Sequence, residues 1–176
     1  MPEGPAQPEP ALDELRFFCD AMLGGLARWL RAAGYDALFE HGIDDGDLVR
    51  RAAESGRVVL SSDGPLFDRV LVRRGEARAL FVPRGLAPLA QLGFVLRTLG
   101  LPRREPHCMA CGGRLREIDR AAARAEAPPK AFAHYDRFWR CERCEKLFWR
   151  GTHWARIGER LAALPAAEGP AGQGGR

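Results

Sequence analysis

Residues 15–34 read LRFFCDAMLGGLARWLRAAG, and this stretch decides the fold. Leu15 to Cys19 form a short apolar run, which Asp20 ends. From Met22 onward the apolar positions Met22, Leu23, Leu26, Trp29 and Leu30 recur at the spacing of one helical face. Gly34 supplies the stop. A strand that is apolar on both faces, followed at once by an amphipathic helix, opens a β-α unit.

The same punctuation repeats along the chain. Ala37, Leu38 and Phe39 make a second strand. Asp44 or Asp45 caps a helix that carries Leu48, Val49 and Ala52 and stops at Gly56. Residues 58–60 form a third strand, ended by Ser61, Ser62 and Asp63. A helix over 66–72, a strand over 79–82 and a helix over 89–99 complete the series. Apolar strands joined to helices by short connections predict an α/β fold, a parallel sheet flanked by helices, over residues 15–102.

In such sheets the working crevice lies outside the carboxyl ends of the strands. Asp20 and Asp63 follow the first and third strands, and Asp44, Asp45 and Asp47 open the second helix. Convergent carboxylates in a crevice of low dielectric repel one another. A divalent cation relieves that repulsion, and Mg²⁺ or Mn²⁺ suits hard oxygen ligands. Metal–carboxylate clusters of this kind hydrolyse phosphodiesters. Aspartates at strand ends and helix starts also serve as plain caps and turn residues. Asp44 is the clearest cap, and Asp47 belongs to an exposed first turn. A phospho-acceptor aspartate is another use of a strand end, but no paired acidic residues stand beside the first strand.

Beyond the Pro/Arg-rich joint at 102–106 the composition changes to aromatics, cysteines and arginines. Cys108 and Cys111 form one CxxC pair, Cys141 and Cys144 a second, with 29 residues between them. Two such pairs in a chain without a secretory signal read as one tetrahedral Zn²⁺ site. A closed four-thiolate site leaves no open position, so this zinc is structural and stands in for a core that so small a segment lacks. Cys19, inside an apolar strand, reads as a core cysteine rather than a nucleophile. Trp139, Phe148, Trp149, His153 and Trp154 surround the second pair. Packing of the small metal unit is their favoured reading; stacking on unpaired bases is the alternative, with Trp149 and His153 as candidate nucleic-acid contacts.

The 176-residue chain carries 27 basic and 23 acidic residues. Residues 103–160 hold 14 basic and 8 acidic ones, so the excess lies in the cysteine-bearing part, where it suits a phosphate backbone. Only two of the basic residues there are lysines, an arginine bias that a GC-rich genome also produces. No apolar run reaches the roughly 18 residues of a membrane span. The Pro- and Glu-rich start does not resemble a signal peptide, so a cytoplasmic location is expected.

Residues 18–31 (FCDAMLGGLARWLR) and 34–36 (GYD) resemble the opening of the Mut-7 C-terminal RNase domain family. The resemblance runs on through Asp44, Asp45 and Leu48, through 57–63 (RVVLSSD), the two cysteine pairs and 148–154 (FWRGTHW). It implies a PIN-like nuclease domain followed by a Cys₄ zinc ribbon, and metal-dependent hydrolysis of RNA, with single-stranded RNA as the expected partner. Carried over, Asp20 and Asp63 match the family's strand-end aspartates. Asp45, three residues before Leu48, matches the helix-start acid, and Asp44 competes with it. These three, Asp20, Asp45 and Asp63, are the expected Mg²⁺ or Mn²⁺ ligands. Arg28 and Arg31 are candidate phosphate or carboxylate partners. The chain departs from the pattern at Ser62, where an arginine is usual, and so lacks one phosphate contact.

The expected organisation is a tail over 1–14, the α/β domain over 15–102, the ribbon over 103–160 and a second tail over 161–176. The two folded units are expected to share no core. A non-catalytic RNA-binding or adaptor protein with the same fold is the alternative function.

Overall fold

The computed structural model describes residues 15–165. The N-terminal tail expected over 1–14, and the C-terminal one from 166 onward, lie outside these residues. Four strands form a parallel sheet in the order β2-β1-β3-β4: β1 (Phe17–Cys19), β2 (Ala37–Phe39), β3 (Val58–Ser61) and β4 (Ala79–Phe81). Helices α1 (Gly24–Ala32), α2 (Asp45–Ser55), α3 (Val70–Arg73) and α4 (Pro88–Thr98) flank it, with a short 3₁₀ helix (Gly64–Asp68) after β3.

The period of two in each strand feeds two cores. Phe17, Cys19, Val58 and Leu60 pack with Leu26, Leu30, Leu92 and Val95 on the face covered by α1 and α4. Phe18 and Val59 point the other way, to Leu48, Val49, Ala52 and Leu66. Burial on both faces explains why the strands read as unbroken apolar runs. From β1 the chain crosses to β2 on one side, then returns past β1 to β3 on the other. The strand order therefore reverses between β1 and β3, and the crevice of such a sheet opens at that point.

The cysteine-bearing segment folds as an antiparallel sheet in the order β5-β6-β7: β5 (Leu115–Ile118), β6 (Phe138–Cys141) and β7 (Leu147–Trp149). Two short helices, α5 (Arg120–Ala123) and α6 (Pro129–His134), interrupt the β5–β6 connection. They cover one face of this sheet through Ala123, Ala127, Phe132 and Phe138.

The final helix, α7 (Thr152–Ala162), departs from expectation. It runs past residue 160, and Leu161, only 8% exposed, belongs to the same core as Leu26 and Leu30. Ile157 and Leu164 pack beside it, and so does Met109 from between the first two cysteines. The two sheets are thus not independent bodies: the second returns a helix to the first. Among the described residues no helix is long and apolar enough to cross a membrane.

Candidate active site and metal centre

Asp20 follows β1 at the strand-order reversal and is only 4% exposed. Its Oδ1 accepts the Met22 amide at 2.9 Å, which closes a tight turn into α1. Its Oδ2 accepts the Ser61 hydroxyl at 2.5 Å and the Ser62 amide at 3.2 Å. The Asp63 amide in turn donates to Ser61 Oγ at 2.9 Å. Ser61, fully buried at the end of β3, therefore ties the two strand-end aspartates together. Three donors on one buried carboxylate fix its orientation.

Asp63 is half-buried and pairs with Arg84, whose Nη2 lies 3.2 Å from Oδ1. Arg84 is anchored by its Nε on the Ser62 carbonyl at 2.7 Å. At the start of α2 the roles of the adjacent acids separate. Asp44 is the N-cap: its Oδ1 accepts the amides of Gly46 at 2.7 Å and Asp47 at 3.4 Å. Asp47 is exposed and pairs with Arg50. Asp45 is left to face the crevice, 3.8 Å from Arg69. Burial pushes the Asp45 carboxyl up; Arg69 opposes this, and the charges of Asp63, Asp44 and Asp20 add to the rise. The charges of Asp20 and Asp63 thus reach Asp45. The three carboxylates are not drawn tight: among the described residues, only the four cysteines bring three or more ligand atoms within 4.8 Å of one another.

The four sulfurs of Cys108, Cys111, Cys141 and Cys144 form that tight group. Cys108 and Cys144 are 3.6 Å apart, Cys111 and Cys141 3.5 Å. A disulfide needs about 2.05 Å. A tetrahedral ion with Zn–S bonds of about 2.3 Å spaces its sulfurs about 3.8 Å apart, so the donor set fits zinc. The two knuckles have the same backbone. The Gly112 amide donates to the Cys108 carbonyl and the Glu145 amide to that of Cys141; the Cys108 amide donates to Gly113 and that of Cys141 to Lys146. Gly112 and Glu145 occupy equivalent left-handed positions, with φ of 81° and 58°. Burial works against the Cys141 thiolate, but the amides of Cys144 and Arg143 outweigh it and pull its pKa down to about 7. Burial pushes the Cys19 thiol up and keeps it an inert core group.

Arg31, expected to face phosphate, turns inward instead. Its Nε donates to the Ala37 carbonyl at 2.8 Å, and its Nη1 to Met109 and Ala110 at 3.0 Å each. It holds the first knuckle against the start of β2, at the edge of the sheet opposite Asp20. Asp36 works there too: its Oδ2 lies 2.7 Å from Arg57 and 2.9 Å from Arg143 of the second knuckle. Arg28 is exposed on α1. Trp149 packs against the ribbon's own core, and His153 is exposed in the first turn of α7. Sequence reasoning missed Ser61, Arg69, Arg84 and the Arg31–Asp36–Arg143 clamp. For Ser61 a signal existed: a polar residue ending an otherwise apolar strand.

A family model described as Mut7-C RNAse domain matches residues 15–161. The exonuclease mut-7 homolog of Homo sapiens is 39% identical over 99 residues, a match that takes in 54% of this chain and 11% of that protein. The chain thus spans about a tenth of the length of that relative. No solved structure matches.

Proposed function

The chain belongs to the Mut7-C RNAse domain family, and from that premise we propose that it is a Mg²⁺- or Mn²⁺-dependent ribonuclease whose metal is held by Asp20, Asp45 and Asp63. The observation that supports this reading is that Asp20 and Asp63 end the neighbouring strands β1 and β3 at the strand-order reversal, joined through Ser61, with Asp45 opening the helix that follows β2. The Asp45 carboxyl, raised chiefly by burial and further by the charges of Asp63, Asp44 and Asp20 against the opposing Arg69, is in keeping with this reading. Three hard oxygen donors fit Mg²⁺ or Mn²⁺. Such an ion supplies charge for the phosphoryl oxygens and a water of lowered pKa.

The chain's own residues do the positioning. Ser61 and the Ser62 amide hold the Asp20 carboxylate aimed along the crevice. The Asp44 cap fixes the first turn of α2 and with it Asp45. Four cysteine thiolates would hold a structural zinc that fastens the ribbon to the far edge of the sheet. Single-stranded RNA is the substrate we infer, and the ribbon's basic excess suits its backbone.

The pairs Asp63–Arg84 and Asp45–Arg69 favour one competing reading, an RNA-binding adaptor whose carboxylates are neutralised internally. Mn²⁺ binding followed by electron paramagnetic resonance separates the two. A nuclease site binds Mn²⁺, and Asp63→Asn weakens that binding about tenfold or more. No Mn²⁺ binding, or binding that Asp63→Asn leaves unchanged, overturns the assignment.

A further inference from the structure

The end of β4 brings an exposed aromatic ring and an anchored guanidinium to the same edge as the acidic residues. Phe81 is the last residue of β4 and pairs in register with Ser61, the residue that holds Asp20. Neighbouring strands lie about 4.8 Å apart, and paired residues project from the same face. Phe81 therefore stands one strand away from Ser61, on the side that Asp20 occupies. Phe81 is 43% exposed, at the end of an edge strand whose other two residues are half-buried. Phe67, from the 3₁₀ helix that follows Asp63, meets it edge-on, with centroids 5.8 Å apart and planes at 60°. That contact props the ring against one side only. Three residues on, Arg84 reaches back over the crevice: its Nε is fixed on the Ser62 carbonyl, and its Nη2 touches Asp63. The Arg84 side chain is two-thirds exposed, which leaves it open to solvent beside Asp63.

We propose that Phe81 and Arg84 form a nucleotide subsite beside the acidic centre: Phe81 stacks on an unpaired base, and Arg84 takes the phosphate attached to it. Both side chains lie at the end of β4, beside the carboxylates that would act on the phosphate. Base stacking on an aromatic ring requires the base to be out of a duplex, so this subsite selects single-stranded RNA. Arg84 keeps its Nε anchor while Nη2 exchanges Asp63 for phosphate, a bidentate partner of opposite charge that guanidinium favours. The inference rests on the nuclease reading for the identity of its ligand, but it makes a claim about binding alone.

The test is binding of a labelled eight-nucleotide single-stranded RNA, and of the same sequence as a duplex, by the full zinc-loaded chain in chelator-free buffer without Mg²⁺ or Mn²⁺. Phe81→Ala is expected to weaken single-strand binding about tenfold and leave duplex binding unchanged; Phe81→Trp is expected to retain it. Phe81→Leu, which keeps apolar bulk and the fold, is expected to weaken it as Phe81→Ala does. Arg84→Gln is expected to lower the slope of log affinity against log salt by about 0.7, one phosphate contact. Unchanged single-strand binding in Phe81→Ala and Phe81→Leu, or equal losses for single strand and duplex, overturns the subsite. The two readings fail separately. If the wild type cleaves RNA with Mn²⁺ while both Phe81 variants bind normally, the subsite is wrong and the nuclease stands. If binding depends on Phe81 but no Mn²⁺-dependent cleavage occurs, the subsite stands and the nuclease is wrong.

Discussion

Ser61 carries more of the site than its size suggests. Its hydroxyl donates to Asp20 and accepts from the Asp63 amide, so one oxygen holds the carboxylate of Asp20 and the backbone of Asp63. Ser61→Ala leaves the Asp63 amide and one oxygen of Asp20 short of a partner in a buried place. Stability is expected to fall by about 1–2 kcal/mol in urea unfolding. Metal-dependent cleavage is expected to fall on the order of 10–100-fold, the usual effect of losing a group that orients a ligand. Asp36 allows a test at the opposite edge. Burial opposes its charge, but hydrogen bonds from Arg143 and Arg57 prevail and hold its carboxyl below the usual carboxylate range. A lowered folded-state pKa means that ionised Asp36 stabilises the protein above the free-carboxyl value of about 4, and that this stabilisation is lost as pH falls through the folded-state value. The stability gap between the wild type and Asp36→Asn is therefore expected to be full at pH 7 and to close in acid, below about pH 4. Urea unfolding of both proteins at pH 7, 5 and 3 checks this; a gap that does not change with pH contradicts the assignment.

At the scale of elements, α7 is the least expected feature. Ile157 and Leu161 fall on one face of α7 and, with Leu164 just beyond its end, cover the core built by α1 and α4. Leu161→Ala is expected to destabilise the chain by about 2–4 kcal/mol in thermal or urea unfolding, although it lies 17 residues after the last cysteine. A loss below about 0.5 kcal/mol would mean that α7 does not dock. The parallel sheet was legible because each of its strands is short, apolar and punctuated by Asp or Gly, signals that are local in the chain. The cysteine site was legible because CxxC spacing is itself local. The docking of α7, the inward turn of Arg31 and the pairing of Arg143 with Asp36 were not, since each joins residues far apart in sequence. The register that sets Phe81 beside Ser61 is of the same kind. The choice between Asp44 and Asp45 was left open by sequence because both are good caps. The cap itself is seen only in the structure, where Asp44 holds the amides of the first turn.

At the scale of the whole molecule the two ends of the parallel sheet have different tasks. The carboxyl edge gathers Asp20, Asp45 and Asp63, and the amino edge receives the cysteine knuckles through Arg31, Asp36 and Arg143. Separating the clamp from the charged crevice lets one edge be held by ion pairs and hydrogen bonds while the other keeps carboxylates that repel one another. A labelled single-stranded RNA incubated with the full chain, with Mn²⁺ raised from zero, decides whether the charged edge is a nuclease. Cleavage is expected to rise with Mn²⁺, to vanish in EDTA and to fall by orders of magnitude in Asp20→Asn, which keeps shape but removes the charge that would hold the metal. An absence of Mn²⁺-dependent cleavage by the wild type, or cleavage that persists undiminished in Asp20→Asn, would contradict it.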